Sequence, residues 1–172
     1  MTLCITLTLL TITLPRLLVG LDVYWNFPAE QCQNNSTHHI NFQTYKIKEN
    51  TNYTFQGDKI VIFYESKFGL YPYYKKYNAS QPINGGLPQK CSLDAHLAEV
   101  EKNITNLIPN EEFDGLAVID LEEWRPRYNQ NDWGAKQVFQ NQSILLAKEL
   151  HPGLKDQEIK KTAEEEFNKA SE

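Results

Sequence analysis

Two carboxylates one residue apart, Asp120 and Glu122, follow directly on a short apolar run, Leu116-Ala-Val-Ile119, and are the residues in this chain best placed for chemistry. A run of that length with β-branched members predicts a strand buried on both faces, as in a parallel sheet. In a continuing strand, side chains at i and i+2 share a face, so Asp120 and Glu122 would sit side by side while Leu121 and Glu123 face away. Neighbouring carboxylates resist carrying two negative charges, and the pKa of one is expected to rise. A proton donor of that kind is what the leaving oxygen of a glycosidic bond requires. A bare Asp-x-Glu also fits a solvated loop; the strand before it and Trp124-Arg-Pro126 after it favour the chemical reading.

The elements that must position this pair can be read along the chain. Leu21 to Phe27 alternates apolar and polar residues and stops at Pro28, as a first strand would. Residues 29–58 are polar and read as loop with short extended pieces, one of them at Asn52-Tyr-Thr-Phe55. Lys59-Ile-Val-Ile-Phe-Tyr64 is a second buried strand, and Phe68-Gly-Leu-Tyr-Pro-Tyr-Tyr74 an aromatic loop. Asn84-Gly-Gly-Leu-Pro88 is turn chemistry. Ser92 opens a helix whose Leu93, Leu97, Val100, Ile104 and Leu107 fall on one face, and Pro109 closes it. After the strand at 116–122, Val138, Ile144, Leu145 and Leu150 mark another helix, stopped by His151-Pro-Gly153. A last charged helix starts near Asp156, with Ile159, Ala163 and Phe167 as its apolar stripe. This order predicts an α/β fold on a parallel sheet. A (β/α) barrel takes about 250 residues, so a chain of 172 is expected to supply the N-terminal part of a TIM-like barrel, incomplete.

Composition narrows the function classes. A charged fraction of 23% is that of an ordinary globular domain, and a net charge of −5 without a basic block offers no footprint for nucleic acid. Thr2 to Leu14 is apolar or threonine, followed by Pro15, Arg16 and Leu17-Leu-Val-Gly20. Residues 1–20 therefore read as a secretory signal peptide, with residues 21–172 as one domain. The stretch is shorter than the roughly 20 residues that cross a bilayer, so no transmembrane segment is expected. The alternative, a buried N-terminal strand, rests on the lack of Lys or Arg before the apolar stretch. Asn34, Asn35, Asn52, Asn78, Asn103 and Asn141 each open an Asn-x-Ser/Thr acceptor, and together they predict a secreted glycoprotein. Cys32 and Cys91 remain after the leader; they pair with each other, stay free, or lack their partners. Their spacing fits no metal site, and His38, His39, His96 and His151 show no paired spacing for a metal or a triad, so no cofactor is expected.

Ile119-Asp-Leu-Glu-Glu-Trp-Arg-Pro126 resembles the active-site strand of the animal hyaluronidases, whose pattern is I-D-x-E-x-W-R-P. Val23-Tyr-Trp-Asn26 with Pro28 and Cys32, Ile62-Phe-Tyr64, Gly69-x-Tyr-Pro-Tyr73, Gly85-Gly-Leu-Pro-Gln89 and Glu149-Leu-His-Pro152 resemble the same family and occur in its order. The resemblance implies a retaining endoglycosidase acting on hyaluronan and more weakly on chondroitin. It makes Glu122 the general acid/base and Asp120 the carboxylate that positions the substrate acetamido group, whose oxygen is the nucleophile. It places Tyr64 and Arg125 in the sugar-binding groove, where a guanidinium can pair with glucuronate. A half-buried strand-end tyrosine and an arginine bracing Glu122 or Glu123 are the plainer readings. Trp124 reads as packing and Glu123 as structural, while Tyr71, Tyr73 and Tyr74 either stack on sugars or close over the barrel.

Members of the family continue with further strands, further groove aromatics and the cysteine that pairs with Cys32. Activity of these 172 residues in isolation is therefore not expected. The resemblance leaves two expectations: part of an active hyaluronidase, or a truncated, non-catalytic secreted paralogue that binds hyaluronan. Secretion is the expected destination, with lysosomal or cell-surface placement as alternatives.

Overall fold

The structure, a computed structural model, describes residues 21–33, 37 and 40–172. The expected leader at 1–20, the acceptors Asn34 and Asn35, and His38 and His39 lie outside the described residues. The described elements run β1 (Val23–Tyr24), α1 (Glu30–Gln33), β2 (Ile47–Lys48), β3 (Ile60–Tyr64), β4 (Tyr73–Tyr74), β5 (Pro82–Ile83), α2 (Leu93–Leu107), β6 (Leu116–Asp120), α3 (Gln137–Leu150) and α4 (Asp156–Ser171).

The architecture is mixed α/β with no closed barrel among the described residues. β3 and β6 pair in parallel, Ile60 opposite Leu116 through Tyr64 opposite Asp120. β1 does not join them. It pairs in parallel with β2 and stops early, because Trp25 and Phe27 turn into an aromatic cluster in which Trp25 lies 4.9 Å from the Phe42 ring. β4 and β5 form an antiparallel rung within the aromatic segment. The extended piece expected at 52–55 is instead a tight turn, with Asn52 and Tyr53 both in the left-handed region.

Apolar β-branched residues bury β3 completely up to its last position, and Ile60 is wholly inaccessible. The start of the strand is fixed by Asn50, itself buried. Its Oδ1 accepts from the backbone N–H of Lys59 and of Ile60, each at 2.8 Å, while its Nδ2 donates to the Thr54 carbonyl. Gly115 permits β6 to come alongside, since a Cβ there would collide with the Lys59 carbonyl oxygen, the acceptor for the Leu116 N–H.

β6 differs from expectation. It is not buried on both faces: Leu116, Val118 and Ile119 are all exposed, Ile119 at 55%. The apolar stripe of α2 is also open, with Leu93 66% and Leu97 53% exposed. Ser92 caps α2 as expected, accepting from the Ala95 N–H. The helical and strand patterns are therefore real, yet burial depends on neighbours, and β6 has β3 on one edge and no second strand on the other among the described residues.

The main core lies at the other end of the chain. Phe139 and Ala147 of α3 meet Ile159, Ala163 and Phe167 of α4, all nearly or fully buried, and the aromatic segment folds onto them. Tyr71 and Tyr74 belong to this core, with Tyr73 packed against it, so the loop is built of core aromatics.

Candidate active site

The carboxyl ends of β3 and β6 bring Tyr64 and Asp120 onto the same final rung. Tyr64 is 37% exposed and Asp120 is half-buried. Parallel strands present this end to one side of a sheet, where α/β proteins assemble ligand sites.

The ladder ends at Asp120, so the expected i, i+2 alternation does not extend to Glu122. Two contacts replace the strand pairing. The Glu122 N–H donates to Oε2 of Glu65 at 2.9 Å, and the Glu122 carbonyl accepts from the Lys136 ammonium. The Glu122 side chain is left exposed. Arg125 donates from Nη1 to the same carbonyl at 3.4 Å, so its guanidinium braces the backbone of Glu122 and not its carboxylate. Its own N–H donates to Asn131 Oδ1, while the Asn131 amide returns bonds to the Arg125 and Arg127 carbonyls at 2.9 Å each. Asn131 is fully buried and holds the Trp-Arg-Pro turn in shape.

Trp124 is buried packing. It stacks on Tyr71 with ring centroids 5.1 Å apart and planes 9° from parallel, donates from Nε1 to the Pro72 carbonyl at 2.8 Å, and meets Phe167 edge-on. Burial pushes the Tyr71 hydroxyl above the ordinary tyrosine range, with the nearby Glu65 charge adding to it. Behind Trp124 lies a cavity of about 490 Å³, bounded by Tyr71, His96 and the last turn of α4; neither Asp120 nor Glu122 lines it.

Glu123 is half-buried with Oε2 lacking a hydrogen-bond partner. Burial pushes its carboxyl above the ordinary glutamate range; Glu65 adds to this, Lys136 opposes it and Glu122 adds again. A raised folded pKa contributes stability that is complete below the ordinary value of 4.5 and is lost as pH rises through the folded value. Glu123→Gln is therefore expected to flatten the decline of Tm with pH just above 4.5, as followed by thermal melts across a pH series; an unchanged slope would show that Glu123 does not carry it.

His96 is half-buried and its Nδ1 accepts from the Leu70 N–H, while His151 Nε2 lies 2.8 Å from Glu166 Oε1; each ties an element to its neighbour. Cys32 is exposed and Cys91 half-buried, and both are free, so they do not pair with each other here. Cys91 donates from Sγ to the Leu70 carbonyl. Among the described residues no group of three or more His, Cys, Asp or Glu converges as a metal site. Asn52, Asn78 and Asn141 are exposed, whereas Asn103 is half-buried with Oδ1 accepting from the Gly69 N–H at 2.7 Å.

Glu65 and Lys136 were invisible to sequence reasoning. Neither lies in a motif, and nothing in a polar loop signals that one lysine will be buried against the carbonyls of the site.

The chain that carries this parallel strand pair, ending in Tyr64 and Asp120, is similar in sequence and in shape to carbohydrate-cleaving proteins. Residues 18–172 match the glycoside hydrolase 56 family, described as hyaluronidase, and the chain belongs to that family. It is 43% identical over 150 residues to a chondroitin hydrolase of Caenorhabditis elegans, and 39% identical over 149 residues to a hyaluronidase of Crotalus adamanteus. Each match takes in 87% of this chain and 32% of the relative, so the chain spans about a third of their length. The crystal structure of bee venom hyaluronidase in complex with a hyaluronic acid tetramer superposes with a TM-score of 0.74 at 31% identity, over 88% of this chain and 47% of that one.

Proposed function

We propose that this chain is part of a hyaluronidase that cleaves β-1,4 N-acetylglucosaminide bonds in hyaluronan, and more slowly in chondroitin, by a substrate-assisted retaining mechanism. The observation that carries the reading is the intact Ile119–Pro126 motif at the carboxyl end of β6, with Tyr64 across from Asp120 on the last rung. Family membership, a relative named for chondroitin and a similar structure holding a hyaluronic acid tetramer support it.

Glu122 donates its proton to the glycosidic oxygen as that bond breaks, while the acetamido oxygen of the same sugar attacks the anomeric carbon. Asp120 orients the acetamido group and offsets the positive charge that develops on its nitrogen. Water then opens the cyclic intermediate, giving a proton back to Glu122, and the second inversion restores the original configuration. Tyr64 and Arg125 line the groove. β3 and β6 are two neighbouring strands of a (β/α) barrel, whose other wall corresponds to the part of the relatives that this chain does not span. The leader at 1–20 directs secretion, in keeping with the similar structure being that of a venom enzyme, and among the described residues Asn52, Asn78 and Asn141 are acceptors open to glycan. Among the described residues no helix is long and apolar enough to cross a membrane.

The test uses the full-length protein that carries this chain. Hyaluronan and chondroitin should shorten with release of reducing ends, and early NMR spectra should show the β-anomer first. Failure to cleave either polymer, or an α-anomer as first product, overturns the reading.

A further inference from the structure

The peptide of Glu122 is held from both sides at the point where the ladder stops holding it. On one side the Glu65 carboxylate accepts its N–H at 2.9 Å. On the other, Lys136 sits only 5% exposed and spends its three donors on the Glu122 carbonyl, the Glu123 carbonyl at 2.8 Å and the Tyr77 hydroxyl at 3.3 Å. Its ammonium lies 5.3 Å from the Tyr77 ring centroid and 5.7 Å from that of Trp133. A buried ammonium is costly unless its donors are all used, and its partners here are two consecutive carbonyls of the site segment. Burial pulls this amine below the ordinary lysine range, with Arg125 adding to the effect and Glu123, Glu65 and Glu122 opposing it. Lys136 also immediately precedes α3, so it anchors the site segment to the rigid helical core.

We propose that Glu65 and Lys136 are positioning residues: together they clamp the Glu122 peptide and so fix the carboxyl that moves the proton. The proposal rests on the acid/base role given to Glu122 above. Neither residue touches the reacting atoms; each acts through the backbone. Beyond Asp120 no strand hydrogen bond restrains residues 121–123, and a proton donor displaced by about 1 Å loses on the order of a hundredfold in rate.

The test compares the full-length protein with Lys136→Met, Glu65→Ala and Glu65→Gln, the last retaining an acceptor oxygen. Hydrogen exchange by mass spectrometry reads peptides covering 119–126 and, as a reference, 60–64, alongside kcat and KM on hyaluronan. Lys136→Met and Glu65→Ala should speed exchange in 119–126 at least tenfold with 60–64 unchanged. They should lower kcat about 10- to 100-fold with KM within about twofold, and Glu65→Gln should do less of both. Unchanged exchange in 119–126, or loosening shared equally by 60–64, overturns the clamp. Where Lys136→Met does not fold, Glu65→Ala decides by itself. If the parent protein cleaves no hyaluronan, the functional reading fails, while the exchange comparison still settles whether these residues hold the Glu122 peptide.

Discussion

Glu122→Gln is expected to lower the kcat for hyaluronan by about 10²–10⁴-fold, the usual worth of a positioned general acid/base. The substitution is clean in this setting. The contacts that fix residue 122 go to its N–H and its carbonyl, and the side chain is exposed, so an amide of nearly the same shape leaves Glu65, Lys136 and Arg125 where they are. KM and Tm should stay close to the parent's values, because what is lost is a transferable proton. A glutamine variant that cut as fast as its parent would end the assignment of Glu122 as acid/base, and one that also melted early would mean that the carboxylate is structural.

Phe167→Ala should be strongly destabilising, at about 3–5 kcal/mol. The ring is fully buried and receives Trp124 edge-on at 5.6 Å and Tyr128 at 5.8 Å. Removing it leaves a void behind both. Domains are stable by about 5–15 kcal/mol, so the loss takes a large share of the margin. The effect should reach the site as well, since Trp124 follows Glu122 by two residues and ties the turn to Pro72. Urea unfolding measures it: a midpoint that hardly moves would contradict the packing role given to this ring.

α2 and α4 were legible in the sequence, whereas α1 falls in a stretch that reads as loop and Leu145 and Leu150, which mark α3, are exposed. Ser92 before an apolar period and Pro109 after it bracket α2, and Ile159, Ala163 and Phe167 fall on the buried stripe of α4 as their spacing implies. The site was legible as a motif and only partly as geometry. The Asp-x-Glu spacing implies shared-face alternation when the strand continues, and β6 does not continue past Asp120: the Glu122 N–H goes to the Glu65 carboxylate instead of to a strand partner. The expected burial of β6 on both faces fails for another reason. Periodicity shows which face of an element is apolar and says nothing of what lies against it. Lys136 could not be anticipated at all, since a lone lysine in a polar stretch reads as solvated, and only the convergence of two carbonyls and two rings makes it an interior group.

The register of β3 against β6 also carries a consequence for how the molecule comes together in time. Its rungs join position 60 to 116 and position 64 to 120, so a long loop must close before any rung rewards it. α3 and α4, by contrast, are successive helices joined by a short turn and packed on each other. Assembly should therefore run from the helical pair toward the strand pair; pulse-labelled exchange that protected β3 before α3 would contradict that order. During synthesis the apolar β3 leaves the ribosome well ahead of its partner and waits unpaired, and the end of the molecule that bears Tyr64 and Asp120 is the last to acquire its shape.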